Sequence, residues 1–182
     1  SACEVTETAV RSVIPPEVAQ GSVVTIKGYN FGMAKGKVSL GTVKATVKTW
    51  TRNRITAELK KVPTISGTYD SFVTPKKAAT IRTEGAYQVK GPEWLEVSPE
   101  GGIMGDTITI KGKFFGKKKG KLTIGGKKCK ITVWTMNGRS GLSETKCIVP
   151  KGLVPGSNSI ILANQVGSFS VPFEIYDLTK FE

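Results

Sequence analysis

Apolar and polar residues alternate one by one in short bursts along this chain. In "VVTIKG" (23–28), "DTITIKG" (106–112) and "KITVW" (130–134), Val or Ile recurs at every second position, with mostly Thr or Lys between. "KVSLGTVKATV" (37–47), "KLTIGG" (121–126) and "SIILANQ" (159–165) read the same way and close on Gly, Asn or Lys turns. A two-residue period of β-branched side chains bounded by turn residues predicts half-buried strands. No stretch sustains a 3.6-residue apolar period with caps, so the predicted class is all-β.

The pattern repeats. Residues 21–51 align without a gap on residues 105–135, an offset of 84, and 14 of the 31 positions are identical. That period is too long for one solenoid unit and suits two sandwiches of under about 100 residues each. The shared residues have assignable roles. Ile26 and Ile110 point inward, and Phe31 and Phe115 plug the end of each sandwich. Trp50 and Trp134 are expected as large buried anchors. Gly36/Gly120 and Gly41/Gly125 are expected in tight hairpins with positive φ. Upstream, "SVIPPE" (12–17) matches "EVSPEG" (96–101), with Pro15 and Pro99 suited to an edge or entry strand.

The predicted organisation is a polar leader (1–11), a first sandwich (12–89), a short linker (90–94) stiffened by Pro92, a second sandwich (95–176) and a tail (177–182). A linker this short and stiff implies a rod-like pair with limited bending.

Both copies carry, in order, a Pro, a Gly, "T-I-x-G-x-x-F-G", a strand ending in Gly, a Trp and then Val-Pro (62–63 and 149–150). This order resembles the IPT/TIG family of immunoglobulin-like domains, over about residues 12–176. The resemblance implies two tandem IPT/TIG β-sandwich domains and a non-enzymatic role. In exported bacterial proteins such tandems serve as spacers, adhesion modules or assembly subunits. It also implies a disulfide between Cys129 and Cys147, since many members pair cysteines at this place. Closing a loop of about 18 residues stabilises by roughly 3 kcal/mol. Two buried free thiols are the alternative. The first copy has Ala45 where the second has Cys129.

A structural disulfide argues for an exported protein, placed outside the cell, at a bacterial cell surface or in the periplasm. The third cysteine, Cys3, stands in "SAC", which fits the end of a lipoprotein signal. A lipid anchor, an intermolecular bridge and a free thiol are its three readings. No apolar run approaches the roughly 20 residues of a transmembrane helix.

Charge changes the picture last. The formal net charge is +13, and the chain has no histidine. The commonest general base and transition-metal ligand is therefore missing. Ser143-x-x-Lys146 fits a penicillin-recognising pattern, but it sits in a predicted strand and lacks a Lys-Thr-Gly partner. Glu96, Glu100 and Asp106 lie near one another in sequence without calcium-loop spacing. Neither a catalytic set, nor a metal site, nor a cofactor is predicted.

From Lys111 to Lys130 there are nine lysines and no acid. Lys117, Lys118, Lys119, Lys121, Lys127, Lys128 and Lys130 are the candidate contacts for a polyanion, either acidic polysaccharide or nucleic acid. Five arginines without an aromatic platform argue against sequence-specific nucleic-acid reading. Lysines that keep strand edges from pairing are the plainer explanation.

The leading expectation is a cell-surface structural or adhesion module. A filament form would add "AVRSVI" (9–14) or "FEIYDL" (173–178) as a strand to a neighbour's sheet. Protein partners or self-association follow from that expectation. An accessory spacer in a carbohydrate-active system is the other alternative.

Overall fold

A computed structural model describes residues 7–181. The chain falls into two compact units, the first up to Lys90 together with Gly138–Ser140, the second the remainder from Gly91 onward. The first holds β1 (Ala9–Ile14), β2 (Glu17–Val18), β3 (Val23–Tyr29), β4 (Lys37–Leu40), β5 (Val43–Lys44), β6 (Thr46–Trp50), β7 (Arg54–Glu58), β8 (Gly67–Thr74) and β9 (Ile81–Val89). The second holds β10 (Glu93–Ser98), β11 (Gly101–Gly102), β12 (Thr107–Lys113), β13 (Lys121–Ile124), β14 (Lys127–Lys128), β15 (Lys130–Met136), β16 (Leu142–Ile148), β17 (Gly156–Ala163) and β18 (Ser168–Ile175). A single 3₁₀ turn, Leu178–Phe181, follows.

Each unit is a two-sheet sandwich of the same topology. The sheets run β1-β3-β7-β6 and β2-β9-β8-β4-β5 in the first, and β10-β12-β16-β15 and β11-β18-β17-β13-β14 in the second. The alternation explains the layering. In β12, Ile108 and Ile110 are buried while Lys111 is exposed, and in β13 Leu122 and Ile124 are buried while Lys121 is exposed. The second core gathers Ile108, Ile110, Phe115, Leu122, Ile124, Cys147, Ile160, Leu162 and Phe173 between its two sheets. Pro15 and Pro99, each after a cis peptide, stand where the chain leaves one sheet for the other.

Several expectations need correction. Residues 9–11 are the start of β1, with Ala9 and Val10 paired to Tyr29 and Gly28 of β3 and Arg11 at a bulge, so they are not leader. The hydrophobic positions Ala9 and Val10 hold them there despite the polar sequence that precedes them. Trp50 and Trp134 are only half-buried. Phe31 and Phe115 are buried instead, with centroids 6.1 Å and 5.7 Å from the tryptophans. Each indole keeps a polar edge because its N–H donates to a turn carbonyl, Trp50 to Gly32 at 3.1 Å and Trp134 to Gly116 at 2.7 Å. Gly41 and Gly125 have the expected positive φ, +54° and +55°. Gly36 and Gly120 do not. They are glycine because a Cβ would strike the carbonyl oxygens of Thr74 and Ala163 and crowd the tryptophan rings.

Candidate binding surfaces

The seven candidate lysines of the second sandwich are all exposed. Lys117–Lys119 lie in the loop between β12 and β13, and Lys121 opens β13. Lys127 and Lys128 form β14, the edge of the five-stranded sheet. Lys130 begins β15, the edge of the four-stranded sheet. The chain passes from one sheet to the other at Cys129, so β14 and β15 flank the same open side of the sandwich. Lys127, Lys128 and Lys130 therefore lie along this edge, with Lys121 on the adjoining strand and Lys117–Lys119 in the loop before it. Nothing acidic lies between Lys111 and Lys130 to offset them.

The broad outer face of the four-stranded sheet is different. Its register puts Glu96, Lys111, Glu144 and Thr135 in one row across β10, β12, β16 and β15. The next row is Ser98, Thr109, Lys146 and Val133. These residues alternate with the buried Ile108, Ile110, Thr145 and Cys147, so all of them face outward. Glu96, Ser98, Thr109, Lys111, Glu144 and Lys146 line an open depression of about 270 Å³. Among the described residues, none of its four charged heads belongs to an ion pair. Sequence reasoning weighed Glu96 as a calcium ligand and passed over Glu144. Strand alternation was visible, but which strands neighbour each other was not.

The first sandwich shows what the duplicated frame carries without these residues. The same two rows read Ser12, Lys27, Arg54 and Ile14, Thr25, Thr56, Thr49. No carboxylate stands in either row. The strongest charged contact of the first unit lies on its other sheet, where Arg82 donates from Nε and Nη2 to Asp70 Oδ2, both at 2.7 Å. The Gly85 N–H donates to Asp70 Oδ1 at 2.9 Å. That backbone donor and the guanidinium hold the Asp70 carboxyl below the usual carboxylate range.

Ser143 is buried, and its hydroxyl is taken up by the fold. It accepts from Phe115 N–H at 3.2 Å and donates to the Gly141 carbonyl at 2.9 Å. Asp106 Oδ2 likewise accepts from Ile103 N–H at 2.9 Å.

The expected Cys129–Cys147 bridge is not formed in this structure, and both residues are free thiols. Cys147 is buried in the second core, and Cys129, half-buried, packs against that core close enough for the two thiols to influence each other's ionisation. The neighbouring Cys129 and its own burial push the Cys147 thiol up. The Cys147 thiol as a hydrogen-bond donor lowers Cys129, so Cys129 ionises first. Cys3 lies outside the described residues.

Both proposed donor strands are already used. "AVRSVI" is β1 itself, paired along β3, and Phe173–Ile175 pair with Gly156–Asn158 inside the five-stranded sheet. Residues 173–175 lie between β11 and β17, so adding them to a neighbour would first break those ladders, whereas β1 is an edge strand paired on one side only.

The IPT/TIG domain family matches twice, over residues 9–89 and 92–175. The chain belongs to the IPT/TIG family. Among curated proteins, none matches its sequence. Solved structures of similar fold include SGBP-B from a complex xyloglucan utilization locus in Bacteroides uniformis. It is 19% identical with a TM-score of 0.43, over 93% of this chain and 48% of that one. A surface glycan-binding protein from Prevotella bryantii is 17% identical with a TM-score of 0.39, over 92% of this chain and 42% of that one. The plexin A4 extracellular region is 18% identical with a TM-score of 0.44, over 93% of this chain and 16% of that one. The IPT/TIG chain thus spans less than half the length of each. Among its described residues, no helix is long and apolar enough to cross a membrane.

Proposed function

We propose that this tandem is a non-catalytic accessory module of an exported carbohydrate-handling system, serving as a spacer that also contacts glycan. The observation that carries the reading is the pair of complete IPT/TIG sandwiches, matched over 9–89 and 92–175. Each closes its own core, and their polar side chains lie largely on outer faces and edges. Such a unit suits holding partners apart and touching an extended polymer better than enclosing a small molecule. A glycan is the ligand named for two of the proteins of similar fold, and it enters here as the ligand class to test.

The test is affinity electrophoresis of the whole protein through gels containing neutral polysaccharide, with xyloglucan and mixed-linkage glucan as probes. Retardation by a neutral polysaccharide that persists in added salt is the expected result. Migration unchanged in every neutral gel would overturn the reading.

A second reading rests on the lysine edge. A run of like charge along one open side attracts polyanions regardless of their sequence. Retardation by heparin alone, abolished by salt, would favour that reading over the first. The same assay on intact cells and culture supernatant places the protein. Export and surface exposure are expected, and recovery only from the cytosol would count against both readings.

A further inference from the structure

We infer that the glycan contact of this module is the outer face of β10-β12-β16-β15, and that it takes a neutral, hydroxyl-rich sugar chain. The inference rests on the accessory-module reading and names its surface.

Charge is the first argument. The depression holds two carboxylates, Glu96 and Glu144, and two ammoniums, Lys111 and Lys146, with the hydroxyls of Ser98 and Thr109 between them. The four charges cancel. A polyanion meets Glu96 and Glu144, and a cation meets Lys111 and Lys146, so neither gains a clear attraction. A polyanion also has a better site on the lysine edge.

Hydrogen-bond supply is the second argument. Carboxylates only accept, ammoniums only donate, and hydroxyls do both. A partner that satisfies such a mixed set has to offer donors and acceptors at close spacing. Vicinal sugar hydroxyls do, since each donates to a carboxylate oxygen while accepting from an ammonium. Bonds with one ionised partner are the stronger kind. The charged heads are free to make them because they are not already paired across the strands.

Shape is the third argument. The floor is a row-and-column array on a single sheet, open to solvent, and its volume of about 270 Å³ is that of a monosaccharide-sized unit rather than a folded partner. Its lining is polar throughout. It lacks the desolvated apolar centre that anchors protein–protein interfaces. The first sandwich has Ser12, Arg54 and Thr56 at the matching positions and no carboxylate there, and its Glu58, one row further on, is already paired with Lys48, so it is an internal control.

The experiment uses the full chain. Glu96→Gln/Glu144→Gln keeps shape and removes both charged acceptors. Arg54→Gln alters the matching position of the first sandwich. Each is measured by titration calorimetry against the neutral polysaccharide that retards wild type, and on a heparin column. Thermal melts check folding. At least a tenfold loss of affinity for neutral glycan is expected in the double variant, with heparin retention not reduced and Arg54→Gln binding as wild type. Wild-type binding with an unaffected double variant would overturn this surface while leaving the accessory reading intact. Equal losses in Arg54→Gln would also overturn it. No neutral-glycan binding by wild type would overturn both.

Discussion

Oxidising the contact between Cys129 and Cys147 should stabilise the second sandwich and leave the first unchanged. Cys129 packs against the core cluster that contains Cys147, and β15, which Cys129 leads into, pairs with Cys147 through Ile131, so bridging the thiols needs little movement of the chain. The closed loop spans about 18 residues, from the start of β15 through β16. Removing its freedom from the unfolded chain contributes roughly 3 kcal/mol. For a domain of this size each kcal/mol raises Tm by about 4–8 °C, so the second transition should rise on the order of 12–24 °C. The assay is calorimetry of a Cys3→Ser protein, reduced and after treatment with diamide, which accepts the two hydrogens lost when the sulfur–sulfur bond forms. Intact mass and thiol titration in denaturant establish the bridge. Cys129 is half-buried and ionises first, so alkylation at rising pH should label it before Cys147. Cys129→Ser should show no oxidant effect. Two titratable thiols surviving diamide would refute the contact, and a bridged protein with an unmoved transition would refute the entropic reasoning.

Phe115 is fully buried and packs on Trp134 and Phe169 at 5.7 Å and 5.8 Å. Phe115→Ala should therefore cost about 3–5 kcal/mol of second-domain stability by denaturant titration; a loss below 1 kcal/mol would contradict its role as the end plug. Asp70 has a folded-state pKa below its ordinary 3.8. Its stabilising contribution is full above that value and is lost as pH falls through the lowered one. Asp70→Asn should lower the unfolding midpoint of the first domain at neutral pH and match wild type in strong acid, and a gap that stays constant on acidification would refute this. Lys117→Gln/Lys118→Gln/Lys119→Gln should elute earlier from heparin with a shallower salt dependence. Elution unchanged from wild type would remove this loop from any polyanion contact.

What could be read from the sequence was what depends on near neighbours. Alternation in "DTITIKG" placed Ile108 and Ile110 inside and Lys111 outside, and the offset of 84 showed that the arrangement occurs twice. Gly41 and Gly125 were legible because a two-residue hairpin sets φ locally. Gly36 and Gly120 were misread because their constraint is a carbonyl from a distant strand, β8 or β17. The tryptophans were misread for a related reason. Size predicts burial, but a buried indole N–H needs an acceptor, and the turn carbonyl that supplies it lies at the sandwich rim. The mixed-charge face was invisible for the same cause. Glu96 and Glu144 are 48 residues apart in sequence, and only the order β10-β12-β16 sets them on either side of Lys111.

The lysines on β14 and β15 carry one more implication. Those strands expose unpaired amides and carbonyls, and mutual repulsion is what stops two molecules from zipping together there. Any polyanion that settles on this margin cancels the repulsion and, in doing so, crowds several copies along itself. Ligand capture and colloidal dispersal thus draw on the same ammonium groups and oppose each other. Sub-stoichiometric heparin should turn a clear solution turbid, and excess heparin, by giving each molecule its own chain, should clear it again.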